Sequence, residues 1–157
     1  IDGGCSWYCG GGNYKIKASS SLGDSYKAEF ANDLSYKTAW VEGKKDEGIG
    51  EYLEYYFKND SPRITEIIIS NGYMKSEETW KNNNRVKKLK LYVNGVPFGI
   101  LNLKDSRTDQ YFSVGTLGHN KNGTDLILKF EILEVYKGNK YNDTAITEIF
   151  FDGIDVH

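Results

Sequence analysis

Short runs with an apolar residue at every second position recur along this chain, and each is closed by a turn signal. The clearest is Lys-Leu-Lys-Leu-Tyr-Val (88–93), which places Leu89, Leu91 and Val93 on one face. Asn94-Gly95 follows, a dipeptide that readily takes the left-handed conformations of a two-residue hairpin turn. A period of two suits a half-buried strand, not the apolar stripe of a helix. Further strand segments lie at 14–18, 51–57, 64–69, 98–103, 109–113, 125–136 and 145–151. Ile-Thr-Glu-Ile-Ile-Ile (64–69) is β-branched and mostly apolar, so it reads as a central strand. The 125–136 segment is the longest, and its apolar positions change register near Ile132-Leu133, which marks a bend or bulge. No convincing amphipathic helix is visible. About eight strands with turns between them predict an all-β protein, an antiparallel β-sandwich of jelly-roll type.

At 157 residues the chain is expected to form one domain. That domain spans 14–157, and the Gly-rich stretch 1–13 reads as an N-terminal tether or linker. Cys5 and Cys9 lie in this tether. They are too few for a metal site and have no His nearby. A local disulfide between them is favoured over two free thiols and would imply an oxidising compartment. The chain opens on Ile1 without a Met, so a processed or trimmed chain is expected, with any targeting segment removed from view.

Charge excludes some partners. Twenty basic and 22 acidic residues give a net charge of −2, which disfavours nucleic acid and anionic membranes, since both need a clustered basic surface. Lys87, Lys88 and Lys90 are close in sequence, but alternation sends them to different faces. No segment is long and apolar enough to span a bilayer, so no membrane insertion is expected.

Function is sought in the loops. The stretch 31–57 joins an Asx-containing loop, the apolar step Ala39-Trp40-Val41, a glycine-punctuated charged loop and an aromatic strand. Trp40 reads as a core residue. Residues 73–85 form a long polar loop, and such loops inside a compact domain are usually functional. Aromatics are 14% of the chain. Tyr and Trp pair a flat apolar face with a polar handle, which suits cross-strand packing and also sugar rings.

Three motifs in order give a resemblance. Asn-Asp-Leu-Ser-Tyr-Lys-Thr-Ala-Trp (32–40), followed by a Gly-x-Gly-Glu loop and aromatic strand (48–57), resembles discoidin-like, galactose-binding-like jelly rolls. Trp-Val-Glu-Gly (40–43), Asn-Gly-Tyr-Met-Lys-Ser (71–76) and Asn-x-Arg-Val-Lys-Lys (83–88) resemble the NADase-type glycan-binding (translocation) domain. The resemblance covers about residues 14–157 and implies a non-catalytic carbohydrate-binding module of a bacterial envelope or secreted protein. It does not imply NAD hydrolysis. The corresponding locations are secreted, periplasmic or cell-surface.

Discoidin-like folds often hold a structural Ca²⁺ between the loop after the first strand and the last strand. The similar positions here are Asn32, Asp33, Tyr36 (through its carbonyl), Thr38 and Glu148, oxygen donors of the kind Ca²⁺ takes. Leu34 stands where that family usually has Gly, which puts a tight turn there in question. For the glycan, Trp80 is the leading platform and Tyr73 the second. Glu42, Lys75, Asn82, Asn84 and Arg85 are candidates for hydrogen bonds to hydroxyls, since amides present donor and acceptor together. An Asx turn at Asn32-Asp33, and Arg85 paired with Glu42 or Glu47, are the purely structural readings of the same residues. Neither His119 nor His157 sits in a nucleophile setting, and no catalytic motif occurs, so no enzyme activity is expected. A protein–protein interaction domain of the same fold and a glycoside hydrolase are the alternatives.

Overall fold

The structure, a computed structural model of the chain, describes residues 12–155. The Cys5–Cys9 pairing, and the tether up to residue 11, therefore lie outside the described residues. Nine strands are found among those described: β1 (Lys15–Ala18), β2 (Trp40–Val41), β3 (Tyr52–Phe57), β4 (Ile64–Asn71), β5 (Arg85–Val93), β6 (Val96–Asn102), β7 (Gln110–Leu117), β8 (Leu126–Tyr136) and β9 (Ala145–Gly153). They form a five-stranded sheet in the order β1-β3-β8-β5-β6 and a four-stranded sheet in the order β2-β9-β4-β7. Every ladder is antiparallel. The architecture is the expected jelly-roll sandwich, with one more strand than anticipated. The extra one is β2, only two residues long, where Trp40 pairs with Ile146 and Val41 with Ala145.

The alternation works as its pattern requires. Leu53, Tyr55 and Phe57 of β3 and Leu126, Leu128, Phe130 and Ile132 of β8 all point inward and are buried. They meet Ile64, Ile67 and Ile69 of β4 and Ile149 and Phe151 of β9 in one core cluster. Phe151 is its hub, with ring centroids 5.2 Å from Tyr55 and 5.0 Å from Phe57, both edge-to-face. That geometry sets a positive ring edge on a negative ring face. The Tyr55 hydroxyl, buried with the ring, donates to the Ala31 carbonyl at 2.8 Å and holds the single helical turn Ala28–Ala31 against the core. Trp40 is fully buried, and its indole N–H donates to the Ser20 carbonyl.

The turn signals also act as read. Asn94 and Gly95 both take positive φ, 51° and 83°, and let Val93 pair with Val96. On β8, Leu89 of β5 pairs with Ile132 and Lys88 with Glu134, which leaves Leu133 as the extra residue of a bulge. Residues 73–85 differ from expectation. They hold a six-residue helix, α1 (Glu77–Asn82), opened by a reciprocal cap. The Ser76 hydroxyl accepts from the Thr79 N–H, and the Thr79 hydroxyl accepts from the Ser76 N–H. Only Trp80 of this helix is buried, so there is no periodic apolar stripe to read.

Phe151→Ala removes the ring on which the aromatic cluster converges. It should cost about 3–5 kcal/mol of stability in a denaturant melt. A loss below roughly 1 kcal/mol would show that the cluster is not the stabilising core.

Candidate functional site

Asn71 ends β4 in one sheet, and Val86 lies near the start of β5 in the other. The fully buried Asn71 amide bridges them: Nδ2 donates to the Val86 carbonyl at 2.7 Å, and Oδ1 accepts from the Val86 N–H at 2.9 Å. Gly72 follows with φ +73°, and a Cβ there would stand 2.6 Å from Arg85 Cγ and 2.9 Å from the Trp80 ring. Only glycine fits this corner. Trp80 lies behind it, its indole N–H bonded to the Asn71 carbonyl.

Arg85 sits over the Trp80 ring at 4.5 Å and is itself buried. Its Nη1 donates to the carbonyls of Trp80, Lys81 and Asn83, closing the end of α1. Its Nε and Nη2 form a two-point pair with Asp105 at 3.0 and 3.1 Å. Trp80 and Arg85 therefore have no open face or free fork for a sugar, contrary to expectation. Apolar burial of the indole and the need to satisfy helix-end carbonyls decide their orientation.

Glu42 and Asn84 are also interior. The Glu42 carboxylate accepts from the Lys44 and Thr144 N–H groups, and Asn84 ties the Asn142 carbonyl to the Gly138 N–H. Buried Thr144 lies between Glu42 and Asn84 as part of an internal strut, and Arg85 pairs with Asp105 rather than with Glu42 or Glu47. A Cβ on Gly48 would strike the Glu42 side chain at 2.4 Å. Tyr73 is half-buried edge-on against Tyr26, and the Asn82 carbonyl caps the Lys140–Tyr141 turn. Of the seven expected glycan residues, Lys75 alone lines a broad concavity at this end of the sandwich.

That concavity, about 610 Å³, opens where β4 finishes and β7 begins. Tyr36 and Lys37 form one wall, Met74 and Lys75 a second, and Arg107 to Asp109 with Tyr111 a third. Tyr111 is 62% exposed and Tyr36 53%, so both show ring surface to solvent. The third wall is a closed loop. Gln110 clamps its neck by bonding both the N–H and the carbonyl of Lys104 at 2.8 Å. Arg85 holds it through Asp105, and Arg107 Nη2 donates to the Met74 carbonyl at 2.7 Å. Met74 is fixed in turn, because Thr147, an extra residue on β9, accepts from its N–H and donates to the Gly72 carbonyl. Asp109 accepts from the Ser70 and Tyr36 hydroxyls, each at 2.6 Å. The bond to Asp109 pushes the Tyr36 phenol up to about 12, so it keeps its proton and offers its oxygen as an acceptor. A second hollow of about 410 Å³ shares Thr108, Asp109 and Tyr111 with the first. Lys37, Arg107, Asp109 and Tyr111 were not among the expected site residues. The alternation of β7, with Phe112 turned toward the core and Tyr111 away, is the signal that marks Tyr111.

The calcium candidates gather at a neighbouring corner. The Asp33 N–H donates to Glu148 Oε1 at 3.2 Å, and Thr38 donates its hydroxyl to Asp33 Oδ2. Glu148 is buried, and its Oε2 has no partner. Burial pushes its carboxyl up to about 8, against backbone bonds from Leu34 and Asp33 and with the Asp33 charge adding to the rise. Asn32 and Tyr36 each line a small cavity beside Glu148. The Tyr36 side chain turns away to Asp109. Leu34 takes φ 55°, so the tight turn is made without glycine, at a cost of about 1–2 kcal/mol. Among the described residues no group of three or more His, Cys, Asp or Glu forms. A cation here would draw on carbonyl and hydroxyl oxygens besides the two carboxylates, a donor set that fits Ca²⁺.

Two stacked antiparallel sheets with a concave site in the loops at one end define a discoidin-like, galactose-binding-like jelly roll. Residues 7–152 match the model of the NAD glycohydrolase translocation F5/8 type C domain, and the chain belongs to that family. No curated protein sequence matches it. Among solved structures it is similar to the family 32 carbohydrate-binding module of Clostridium perfringens NanJ in complex with galactose, with a TM-score of 0.60 and 15% identity over 87% of this chain and 91% of that one. It is also similar to a C. perfringens family 32 module in complex with GalNAc-β-1,3-galactose, with a TM-score of 0.58 and 16% identity over 88% and 94%. An F5/8 type C domain from Bacteroides fragilis aligns with a TM-score of 0.59 and 15% identity over 87% and 89%. At these identities the likeness establishes the fold.

Glu42 sets a pH dependence. Burial pushes its carboxyl from 4.5 up to about 7, with the Thr144 N–H opposing. The folded chain thus holds this proton more tightly than the unfolded one. The stability it contributes is complete below pH 4.5 and is lost as pH rises through about 7. Thermal melts should show Tm falling across that window. Glu42→Gln, which sets an amide donor against a backbone N–H, should cost about 1–3 kcal/mol. A Tm that climbs from about pH 5 to about pH 7 would contradict this assignment.

Proposed function

We propose that this domain is a non-catalytic glycan-binding module, with the site in the Tyr36–Tyr111 concavity. The observation that carries the reading is that pair of exposed rings, set around a pre-formed hollow with fixed polar groups. A pyranose has an apolar face for a ring and hydroxyls for hydrogen bonds, and Tyr111 with Asp109, Tyr36 and Arg107 supplies both. The adjoining hollow across Thr108 and Tyr111 suits an oligosaccharide of more than one unit. The galactose and GalNAc ligands named for the similar modules support the same class. Among the described residues Asp109 is the one carboxylate lining the concavity, whereas glycoside hydrolysis ordinarily uses two. A cell-surface, periplasmic or secreted setting fits a module of this kind, and no helix among the described residues is long and apolar enough to cross a membrane. A structural Ca²⁺ held by Asp33 and Glu148, with Asn32, Thr38 and the Tyr36 carbonyl as further donors, belongs to the same proposal. It would satisfy the orphaned Glu148 oxygen.

A protein-interaction role finds its support elsewhere, on edge strand β6. There Val96, Phe98 and Ile100 alternate outward and are all exposed.

Tyr111→Ala should weaken binding to a glycan identified on an array by about tenfold, roughly 1.4 kcal/mol. Because the side chain is exposed, stability should stay within about 0.5 kcal/mol. Unchanged affinity would move the site. Separately, adding Ca²⁺ to chelated protein should raise Tm by about 2–4 °C per kcal/mol of binding free energy. Glu148→Gln should remove the rise, and a Tm indifferent to both Ca²⁺ and chelator would eliminate the metal.

A further inference from the structure

We infer that the glycan this site takes is acidic, a sugar bearing a carboxylate or sulfate; the inference rests on the glycan reading above. Lys37, Lys75 and Arg107 come from three separate segments and line one concavity. None of them has a carboxylate within ion-pairing distance among the described residues. Arg107 commits Nη2 to the Met74 carbonyl. That bond holds the guanidinium in place, and its remaining donors form a planar fork of the kind that grips a carboxylate or sulfate at two points.

The local charge opposes that of the molecule. The chain carries a net −2, yet this concavity holds three cations against one carboxylate. That carboxylate, Asp109, is occupied by its own neighbours. Its two oxygens accept from the Ser70 and Tyr36 hydroxyls, which fix its place but leave its charge, so the three cations against this one carboxylate leave the concavity with a net positive charge. The other two arginines are matched, Arg85 with Asp105 and Arg63 with Asp155, so Arg107 is the arginine left without an acidic partner among the described residues. A hollow walled by unpaired cations concentrates field on an anion, and the attraction fades with salt. Tyr36 and Tyr111 on the same walls are what a bare anion would not need and a sugar ring would use.

The discriminating experiment is calorimetric titration of the domain with matched ligands. Oligogalacturonate is compared with its methyl ester, which keeps the backbone and removes the charge. Sulfated chondroitin is compared with the unsulfated polymer, and polyglutamate serves as an anion without rings. At least one acidic glycan should bind about tenfold or more tighter than its less charged partner, as one added charge-assisted bond provides. The preference should shrink as salt rises from about 0.05 to about 0.5 M. Lys75→Gln and Lys37→Gln, both at exposed positions, should narrow the ratio, and Tyr111→Ala should weaken binding of every glycan. Preference for oligogalacturonate marks a carboxylate as the anion, and preference for sulfated chondroitin marks a sulfate. Equal affinity for charged and neutral forms, with Tyr111→Ala weakening both, overturns the acidic assignment and leaves the glycan reading intact. An acid preference indifferent to Lys37 and Lys75 also overturns it, as does polyglutamate binding as tightly as the best glycan. No binding of any glycan overturns both readings.

Discussion

The Asn71 amide is the point on which this end of the molecule depends. The two sheets share no ladder, and beside the isolated backbone bridge Asn84–Thr144 a side chain ties them together. One amide has the same donor and acceptor as a peptide group, and Asn71 uses both on Val86. Buried without these partners, it would cost several kcal/mol. With them, it fixes where β4 stops relative to where β5 starts. Neighbouring contacts build on that spacing. The Asn71 carbonyl receives the Trp80 indole, Gly72 leaves room for Arg85, and Arg85 reaches Asp105 in the loop that carries Arg107 and Asp109.

Burying polar groups is expensive, and the fold concentrates that expense here. Glu42, Asn71, Asn84, Arg85, Thr144, Thr147 and Glu148 are all buried, and they cluster near the loop end rather than in the aromatic centre. Polar networks specify geometry more sharply than apolar packing, because a displaced donor loses its acceptor outright. Thr147 illustrates the point. A bulge gives β9 one residue more than β4, and the freed hydroxyl ties Gly72 to Met74. The concavity is thereby assembled before any ligand arrives, which lowers the ordering cost of binding.

The strands were legible because burial on one face leaves a period of two in the sequence. Leu89 and Leu91, or Leu53, Tyr55 and Phe57, could have no other pattern and still reach one core. Asn94-Gly95 was legible because its backbone conformation is nearly residue-specific. Helix α1 was not, since a capping box and one buried Trp leave no period. The site was harder still. Trp80 and Arg85 have the composition of a sugar site, but composition does not say which way a side chain faces. Burial turned them into supports for the loop that displays Tyr111 and Arg107. The acidic corner read more directly, because Asp33, Thr38 and Glu148 do converge.

The remaining wall of the concavity differs from the others. The 73–75 and 104–111 segments are tied to β9, to α1 and to each other by buried bonds. Tyr36 and Lys37 sit on a loop held mainly by its own Asp33. That side chain accepts from the Ser35 N–H and the Thr38 hydroxyl, with Leu34 strained between. The loop's outward tie is Tyr36 to Asp109, and its inward tie is Asp33 to Glu148. One short segment thus joins the partnerless Glu148 oxygen to the ring that faces a ligand. Two walls are thus held by buried bonds outside this segment, and the third depends on Asn32 to Thr38 and on its ties to Asp109 and Glu148.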